Sequence, residues 1–167
     1  MYRYLWGALG AVVAALLGGA LWVAPPALAG GAPTWSGAYA VTFQVDQKTG
    51  TSAAARQPEA VYTNVYTFAS TCSTDPCTAT IVDGPAPSNS TVPQPITFSW
   101  NGAAWELVNK WQWNCLLPDG TTEWDPANAA VTYTPQADGS LKGEWTTTIT
   151  SGACQGTVYI PMKAVAV

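Results

Sequence analysis

The sequence predicts an all-β domain of about eight antiparallel strands, arranged as an up-and-down barrel or as a two-sheet sandwich. Beyond residue 29, apolar side chains recur at alternate positions and no helical periodicity is present. Glycine, proline, asparagine and aspartate separate these alternating runs at short intervals, as turns do. Residues 30–167 are long enough to form one domain with a sizeable core.

A signal helix is expected before this domain, over residues 1–29. Its apolar run covers residues 5–23, and Ala27 and Ala29 supply the small residues that signal peptidase requires, so we expect the mature chain to begin at Gly30. The chain has no twin arginine, which favours the general secretory route, with the product secreted or held in the cell envelope. Because the apolar run is long, an uncleaved membrane anchor is the alternative.

The first strand is predicted over residues 35–45, where every odd position is apolar or small. Residues 46–60 show no alternation and predict a long mobile loop. The second strand is expected to end near Cys72, and the third to follow Cys77. Residues 83–95 hold four prolines, which predicts an exposed connection rather than a strand.

The Asn-Gly dipeptide at 101–102 predicts a two-residue type I′ turn between the next two strands. In that register Phe98 lies opposite Trp105, and Ile96 lies opposite Leu107. The outgoing strand then carries its apolar side chains on one face: Trp105, Leu107, Trp111, Trp113 and Cys115.

A later hairpin is predicted to pair Val131 with Trp145 and Tyr133 with Gly143. This register requires a three-residue loop with Gly139 in a left-handed bulge. A final alternating strand follows and completes the expected eight.

Four cysteines, an even number in an exported chain, predict two disulfides. Cys115 and Cys154 are in phase with the apolar faces of their strands, so we expect both to point into the core and to pair. Cys72 and Cys77 flank a turn-forming segment and form the expected second pair, with the other two connectivities as alternatives. Zinc is the weaker interpretation, because the chain has no histidine and no second closely spaced cysteine pair.

Composition argues against several classes of function. Beyond the leader, five basic side chains stand against ten acidic ones without a basic stripe, which disfavours nucleic acid and anionic membrane surfaces as partners. The absence of histidine excludes Ser-His-Asp and Cys-His catalysis within this chain. We therefore expect no catalytic residue, no metal and no cofactor.

The densest acidic segment surrounds Trp124 and contains Asp119, Glu123 and Asp125. A glycoside hydrolase uses two carboxylates beside an aromatic ring, and calcium binds clustered acids, but the Asp-Gly and Asp-Pro pairs here are more simply turns. Trp124 lies outside any alternation, so we expect it to be partly exposed and, with the three acids, to contact a ligand. The other tryptophans are expected in the core, and a hollow core would present three of them to a ligand: Trp111, Trp113 and Trp145.

Five segments of the chain resemble a group of small exported proteins of mycobacteria and related actinobacteria. They are TWSGAY (34–39), FSWNGAAW (98–105), WQWNC (111–115), DGSLKGEW (138–145) and SGACQGTV (151–158). The resemblance implies an envelope or secreted protein, similar to extracytoplasmic sensor regions, and it brings no assigned activity or site residue. Trp35 and Gly37 are also similar to the start of lipocalin-like and avidin-like barrels, with W-S-G in place of G-x-W.

We therefore predict an exported, disulfide-stabilised, non-catalytic binding or interaction module of the cell envelope, with a lipid, a glycan or a protein as its partner. One alternative is a structural envelope protein without a small ligand. The other is a glycoside hydrolase that uses the acidic segment 119–125.

Overall fold

A computed structural model of the chain describes residues 33–73 and 76–167. Eight antiparallel strands close into one barrel, in which each strand pairs with its neighbours along the chain and the last pairs with the first. The strands are β1 (Gly37–Phe43), β2 (Tyr62–Thr71), β3 (Thr78–Asp83), β4 (Thr97–Trp100), β5 (Trp105–Leu116), β6 (Thr122–Pro135), β7 (Leu141–Ile149) and β8 (Gly156–Ala166). The up-and-down barrel is confirmed, and the two-sheet sandwich is excluded.

The predicted leader and its cleavage site lie outside the described residues. In the part of the chain that the structure describes, no helix has the length and apolar character needed to cross a bilayer.

The turn between β4 and β5 differs from the predicted two-residue turn. Trp100, not Phe98, pairs with Trp105, so residues 101–104 form the connection. The Asn101 side chain accepts hydrogen bonds from two backbone N–H groups of this loop, at 2.9 and 2.8 Å, which stabilises the wider turn. The register moves by two residues, and an even shift leaves every side chain on its predicted face.

The hairpin between β6 and β7 has the predicted register, with Val131 opposite Trp145. The backbone N–H of Gln136 donates to the carbonyl of Ser140 at 2.8 Å and so closes a loop of the three residues between them. Gly139 in that loop has φ of 79°, the left-handed conformation that the prediction required.

Residues 46–60 do not form the mobile loop that was predicted. Two short 3-10 helices, Val45–Gln47 and Ala53–Arg56, lie in this part of the chain and contact β8. Ser52 between them is fully buried, and its hydroxyl donates to the carbonyl of Cys154 at 2.6 Å. Small side chains allow this close packing without any alternation, which is why periodicity alone gave the wrong prediction.

Aromatic side chains around Trp35 fill one end of the barrel, which we call the plug end. Trp35 precedes β1 instead of opening it, and only 1% of its surface is exposed. The centroid of its ring lies 4.0 Å from that of Phe68, 5.0 Å from that of Tyr133 and 5.1 Å from that of Phe98. The connections that follow β1, β3, β5 and β7 lie at the opposite end, which we call the loop end.

Both predicted disulfides are present. Cys115 and Cys154 pair at the loop end with their Cα atoms 5.7 Å apart, and both are buried in the core. Cys72 and Cys77 pair at the plug end with their Cα atoms 4.2 Å apart. Because disulfides persist in oxidising compartments, the two bonds indicate an extracytoplasmic location.

Candidate functional site: a cavity inside the barrel

The barrel contains a cavity of about 360 Å³ that is partly open to solvent and lies next to the aromatic plug. Inward-facing side chains from all eight strands line it, and Phe68, Phe98 and Tyr133 of the plug form its floor. A volume of this size accommodates a small organic molecule. The interior of this barrel is therefore hollow.

A loop completes the cavity wall between β3 and β5. β4 has only four residues and pairs with the first two residues of β5, so the rest of that edge of β5 has no strand beside it. Residues 84–95, which we call the strap, cross this gap. The Asn89 side-chain N–H donates to the carbonyl of Gln112 at 2.7 Å, and the Gln112 backbone N–H donates to the Thr91 hydroxyl at 3.0 Å. The predicted exposed connection is thus also part of the cavity wall.

Small residues on β6 leave room for the cavity. Ala129 lines it and lies between β5, where Asn109 is its partner, and β7. Across β6 the ring centroids of Trp111 and Trp145 approach to 6.2 Å, and both rings line the cavity as expected for a hollow core. Trp113, the third tryptophan of that expectation, is not among the lining residues.

The polar groups of the cavity wall are uncharged. On β2 the Asn64 side-chain N–H donates to the Tyr66 hydroxyl at 3.1 Å. The side-chain oxygen of Asn109 and the indole N–H groups of Trp111 and Trp145 are buried without a hydrogen-bond partner in the described residues. Aspartate, glutamate, lysine and arginine are all absent from the described lining. An apolar wall with a few uncharged polar groups is typical of small-molecule sites.

Two tyrosines of this wall are held in their protonated form. Burial, followed by the nearby Tyr66 and Glu59, raises the pKa of Tyr62. Burial is also the largest cause of the raised pKa of Tyr133, which is shifted further than that of Tyr62. The Tyr133 hydroxyl donates to the sulfur of Met162 at 3.5 Å. The cavity wall therefore carries no charge across the physiological pH range.

The raised pKa of Tyr133 predicts that the domain loses stability at alkaline pH. Above about pH 10 the unfolded chain releases the phenolic proton while the folded chain retains it, so the free energy of unfolding falls by up to about 1.4 kcal/mol per pH unit from this group. Urea unfolding of Tyr133→Phe and of the wild type should show a stability difference that shifts in favour of Tyr133→Phe from about pH 8 to about pH 11. A difference that stays constant over this range would contradict the prediction.

The acidic segment predicted to contact a ligand lies on the β5–β6 hairpin, outside the cavity lining. Both the N–H and the hydroxyl of Thr121 donate to one oxygen of Asp119, at 2.9 and 2.6 Å, and these bonds lower the pKa of this turn carboxylate. Trp124 is 48% exposed, as predicted, but it lies on the outer face of β6 and not in a loop. Glu123 is also exposed.

Asp125 is the one acid of the segment that is buried, with 1% of its surface exposed. Its carboxylate accepts the backbone N–H of Cys154 at 3.2 Å. A methyl group added at Gly152 would lie 1.8 Å from the carboxylate, so the backbone of the last loop closes over Asp125. A substrate cannot reach this carboxylate. Asp125 therefore cannot be one of the two acids that a glycoside hydrolase needs.

Asp125 also lies beside the buried disulfide, where ligand atoms of Cys115, Cys154 and Asp125 come within 4.8 Å of one another. Both sulfurs are engaged in the disulfide, so this cluster offers a metal only one carboxylate. It does not suit zinc, which binds thiolates in structural sites.

A wider depression of about 530 Å³ lies on the outer surface near the β6–β7 turn. Its rim carries Lys142, Lys163 and Asp138, whose side chains are solvent-exposed, with the Lys163 ammonium 3.8 Å from the Asp138 carboxylate. Such exposed charges bind a ligand weakly, so the cavity inside the barrel is the better candidate site.

Sequence reasoning missed the polar residues of the cavity. Asn109 occupies an inward position of β5 between Leu107 and Trp111, and Asn64 occupies an inward position of β2. A polar residue that interrupts the apolar face of a strand was the available signal, because such a residue needs a partner inside the barrel.

Comparison with known proteins places this barrel among sensor domains. Among solved structures, the monomer form of the M. tuberculosis PknI sensor domain matches with a TM-score of 0.59 and 16% identity, over 81% of this chain and 88% of that chain. The dimer form of the same domain matches with a TM-score of 0.47 and 21% identity, over 67% and 80%. No curated protein sequence matches.

At 16% identity the monomer form shows a shared fold. A family profile adds the relationship: the family described as PknI serine/threonine-protein kinase sensor domain matches residues 32–167. This match agrees with the resemblance to mycobacterial exported proteins and to sensor regions. The chain therefore belongs to the PknI serine/threonine-protein kinase sensor domain family.

Proposed function

We propose that this domain is a non-catalytic sensor of the cell envelope that binds a small, largely apolar molecule inside its barrel. The cavity of about 360 Å³ is the observation that carries the proposal. Small-molecule sites are usually concave and mostly apolar, and the cavity inside the barrel has both properties.

The family description supports a sensing role rather than catalysis. The chain has no histidine, and its densest acidic segment contributes an inaccessible carboxylate at Asp125. A structural envelope protein without a ligand would gain stability from a filled barrel, since interiors are normally packed without large voids. The hollow interior therefore favours a binding module over this alternative.

The cavity wall favours a lipid-like ligand over a glycan. Sugar-binding sites use many hydrogen-bonding groups, often carboxylates, around an aromatic platform. Here the wall is mostly aliphatic and aromatic, as at Val41, Phe43 and Leu107, and no carboxylate reaches it in the described residues. The plug forms the floor of the cavity and the strap completes its wall, so both shield an apolar ligand from water.

Filling the cavity tests the proposal. Ala129→Phe places an aromatic ring inside the cavity, whereas Ala130→Phe places the same ring on the exposed outer face of the same strand. The neutral fluorophore N-phenylnaphthylamine should bind the wild type and Ala130→Phe with equal affinity, and Ala129→Phe should lose about tenfold or more of that affinity. Thermal unfolding checks that both variants are folded.

Two results would overturn the proposal. The first is no fluorescence enhancement with the wild type, and the second is equal enhancement with folded Ala129→Phe. Native mass spectrometry of the purified protein with intact disulfides gives an independent measurement, because a bound apolar molecule adds a discrete mass that Ala129→Phe should lack.

A further inference from the structure

We infer that the cavity takes a neutral ligand whose polar end is a hydroxyl group, seated against Asn109 and the Trp111–Trp145 pair. This inference rests on the proposed function and specifies the ligand class. Three features of the wall carry it: the absence of charge, the unpartnered polar atoms, and the apolar surface that remains for the rest of the ligand.

The uncharged wall of the cavity disfavours two common classes of lipid that carry a charged end. A fatty acid carries a carboxylate and a long-chain amine carries an ammonium group, and each loses its hydration shell on burial. An ionised group without a partner is strongly disfavoured in an apolar interior. The described lining offers no cation or anion to compensate, and its tyrosines Tyr62 and Tyr133 remain neutral.

The unpartnered atoms define what the polar end must do. The Asn109 side-chain oxygen accepts a hydrogen bond, and the indole nitrogens of Trp111 and Trp145 donate one each. A hydroxyl group both donates and accepts, so one such group satisfies the asparagine and an indole together. An ether or ester oxygen only accepts and leaves Asn109 without a donor. All three atoms are buried in side chains that line the cavity, so the proposed contact requires these side chains to turn toward the ligand.

Other polar groups of the wall are less suited to hold the polar end. The Asn64 amide and the Tyr66 hydroxyl on β2 already bond to each other at 3.1 Å. Asn89 on the strap donates to the backbone of Gln112 and accepts from Thr91. Among the described residues of the wall, only the group around Asn109 combines a buried acceptor and buried donors that lack partners.

The rest of the wall suits a hydrocarbon body. Aliphatic and aromatic side chains line most of the space, among them Val41, Phe43, Ile81, Val131 and Met162. The ligand class is therefore a neutral, largely apolar alcohol.

Displacement of bound N-phenylnaphthylamine by a matched series tests this inference at neutral pH. The series is decanol, decyl methyl ether, decanoate and decylammonium, which share one chain and differ at the polar end. Decanol should displace the fluorophore about tenfold better than the ether, because decanol donates to Asn109 and the ether cannot. It should displace the fluorophore at least about a hundredfold better than either ion, whose charge has no partner in the wall.

Two leucine variants locate the polar end. Asn109→Leu should bring decanol and the ether to equal affinity, whereas Asn128→Leu, at an exposed position of β6 outside the cavity lining, should preserve the preference for decanol. Asn109→Asp provides a second readout, because the new carboxylate should raise the affinity for decylammonium by about tenfold.

The outcomes separate this inference from the proposed function. Equal displacement by all four compounds, tighter binding of an ion, or an unchanged preference in Asn109→Leu would overturn the ligand class while leaving binding in the cavity intact. Failure of the wild type to bind the fluorophore would overturn the proposed function itself.

Discussion

Replacing Cys115 and Cys154 together by alanine is expected to lower the free energy of unfolding by about 4 kcal/mol. The disulfide joins residues 39 positions apart, so it removes much of the conformational freedom of the unfolded chain. Both sulfurs are buried, and their loss also leaves a void in the core at the loop end.

The bond also holds the loop that leads into β8. The Cys154 backbone N–H donates to Asp125, and the Cys154 carbonyl accepts the Ser52 hydroxyl. These contacts connect β6, the segment with the two 3-10 helices, and β8 at a single point. Removing the bond therefore loosens three elements of the loop end together.

Cys72 and Cys77 provide the matched control. Their bond closes a span of only 5 positions, so Cys72→Ala with Cys77→Ala should cost about 2 kcal/mol or less on the same chain-entropy argument. Urea unfolding of the oxidised proteins measures both values. Equal losses would contradict the assignment of the dominant role to the buried bond. If the Cys115 and Cys154 variant does not fold, stepwise reduction of the wild type should show a small drop in melting temperature for the exposed bond and a large one for the buried bond.

Strand faces and cysteine pairing were predictable because they depend on local periodicity. On β5 the apolar face from Trp105 to Cys115 is interrupted in sequence at Asn109, and burial alternates along the strand in the structure. Cysteine phase then gave the pairing of Cys115 on β5 with Cys154 in the loop before β8, since both side chains point into the core. The turn at 101–104 was predicted with the wrong length, yet the faces survived because the register error was even.

The cavity was not predictable, because it depends on how separate segments meet. The small residue Ala129 must lie between Asn109 on β5 and the neighbouring strand β7. The strap must take the place of a strand beside β5, and Trp35 must fill one end of the barrel. No local pattern encodes these three-dimensional relations. The acidic segment was conspicuous in sequence, but its residues have structural roles outside the cavity. Asp119 stabilises a turn, Trp124 lies on the outer surface, and Asp125 bonds to the loop of the buried disulfide.

Trp35→Ala is expected to lower the free energy of unfolding by about 3–5 kcal/mol, the usual range for a fully buried aromatic residue. Its indole lies outside every strand but contacts the rings of Phe68, Phe98 and Tyr133 within 5.1 Å, which makes it the centre of the plug. Removing it leaves a void that the surrounding rings cannot fill without leaving their own positions.

Trp124→Ala is the matched control, since the same substitution at a residue that is 48% exposed should cost less than about 1 kcal/mol in urea unfolding. Similar losses for the two variants would contradict the plug. The milder Trp35→Phe keeps the test possible if Trp35→Ala does not fold. Because Phe68, Phe98 and Tyr133 both contact Trp35 and form the cavity floor, Trp35→Phe should also change the affinity for N-phenylnaphthylamine, whereas Trp124→Ala should not. The plug supports both the fold and the floor of the cavity. A change in the plug is therefore expected to alter the stability of the barrel and its affinity for a ligand together.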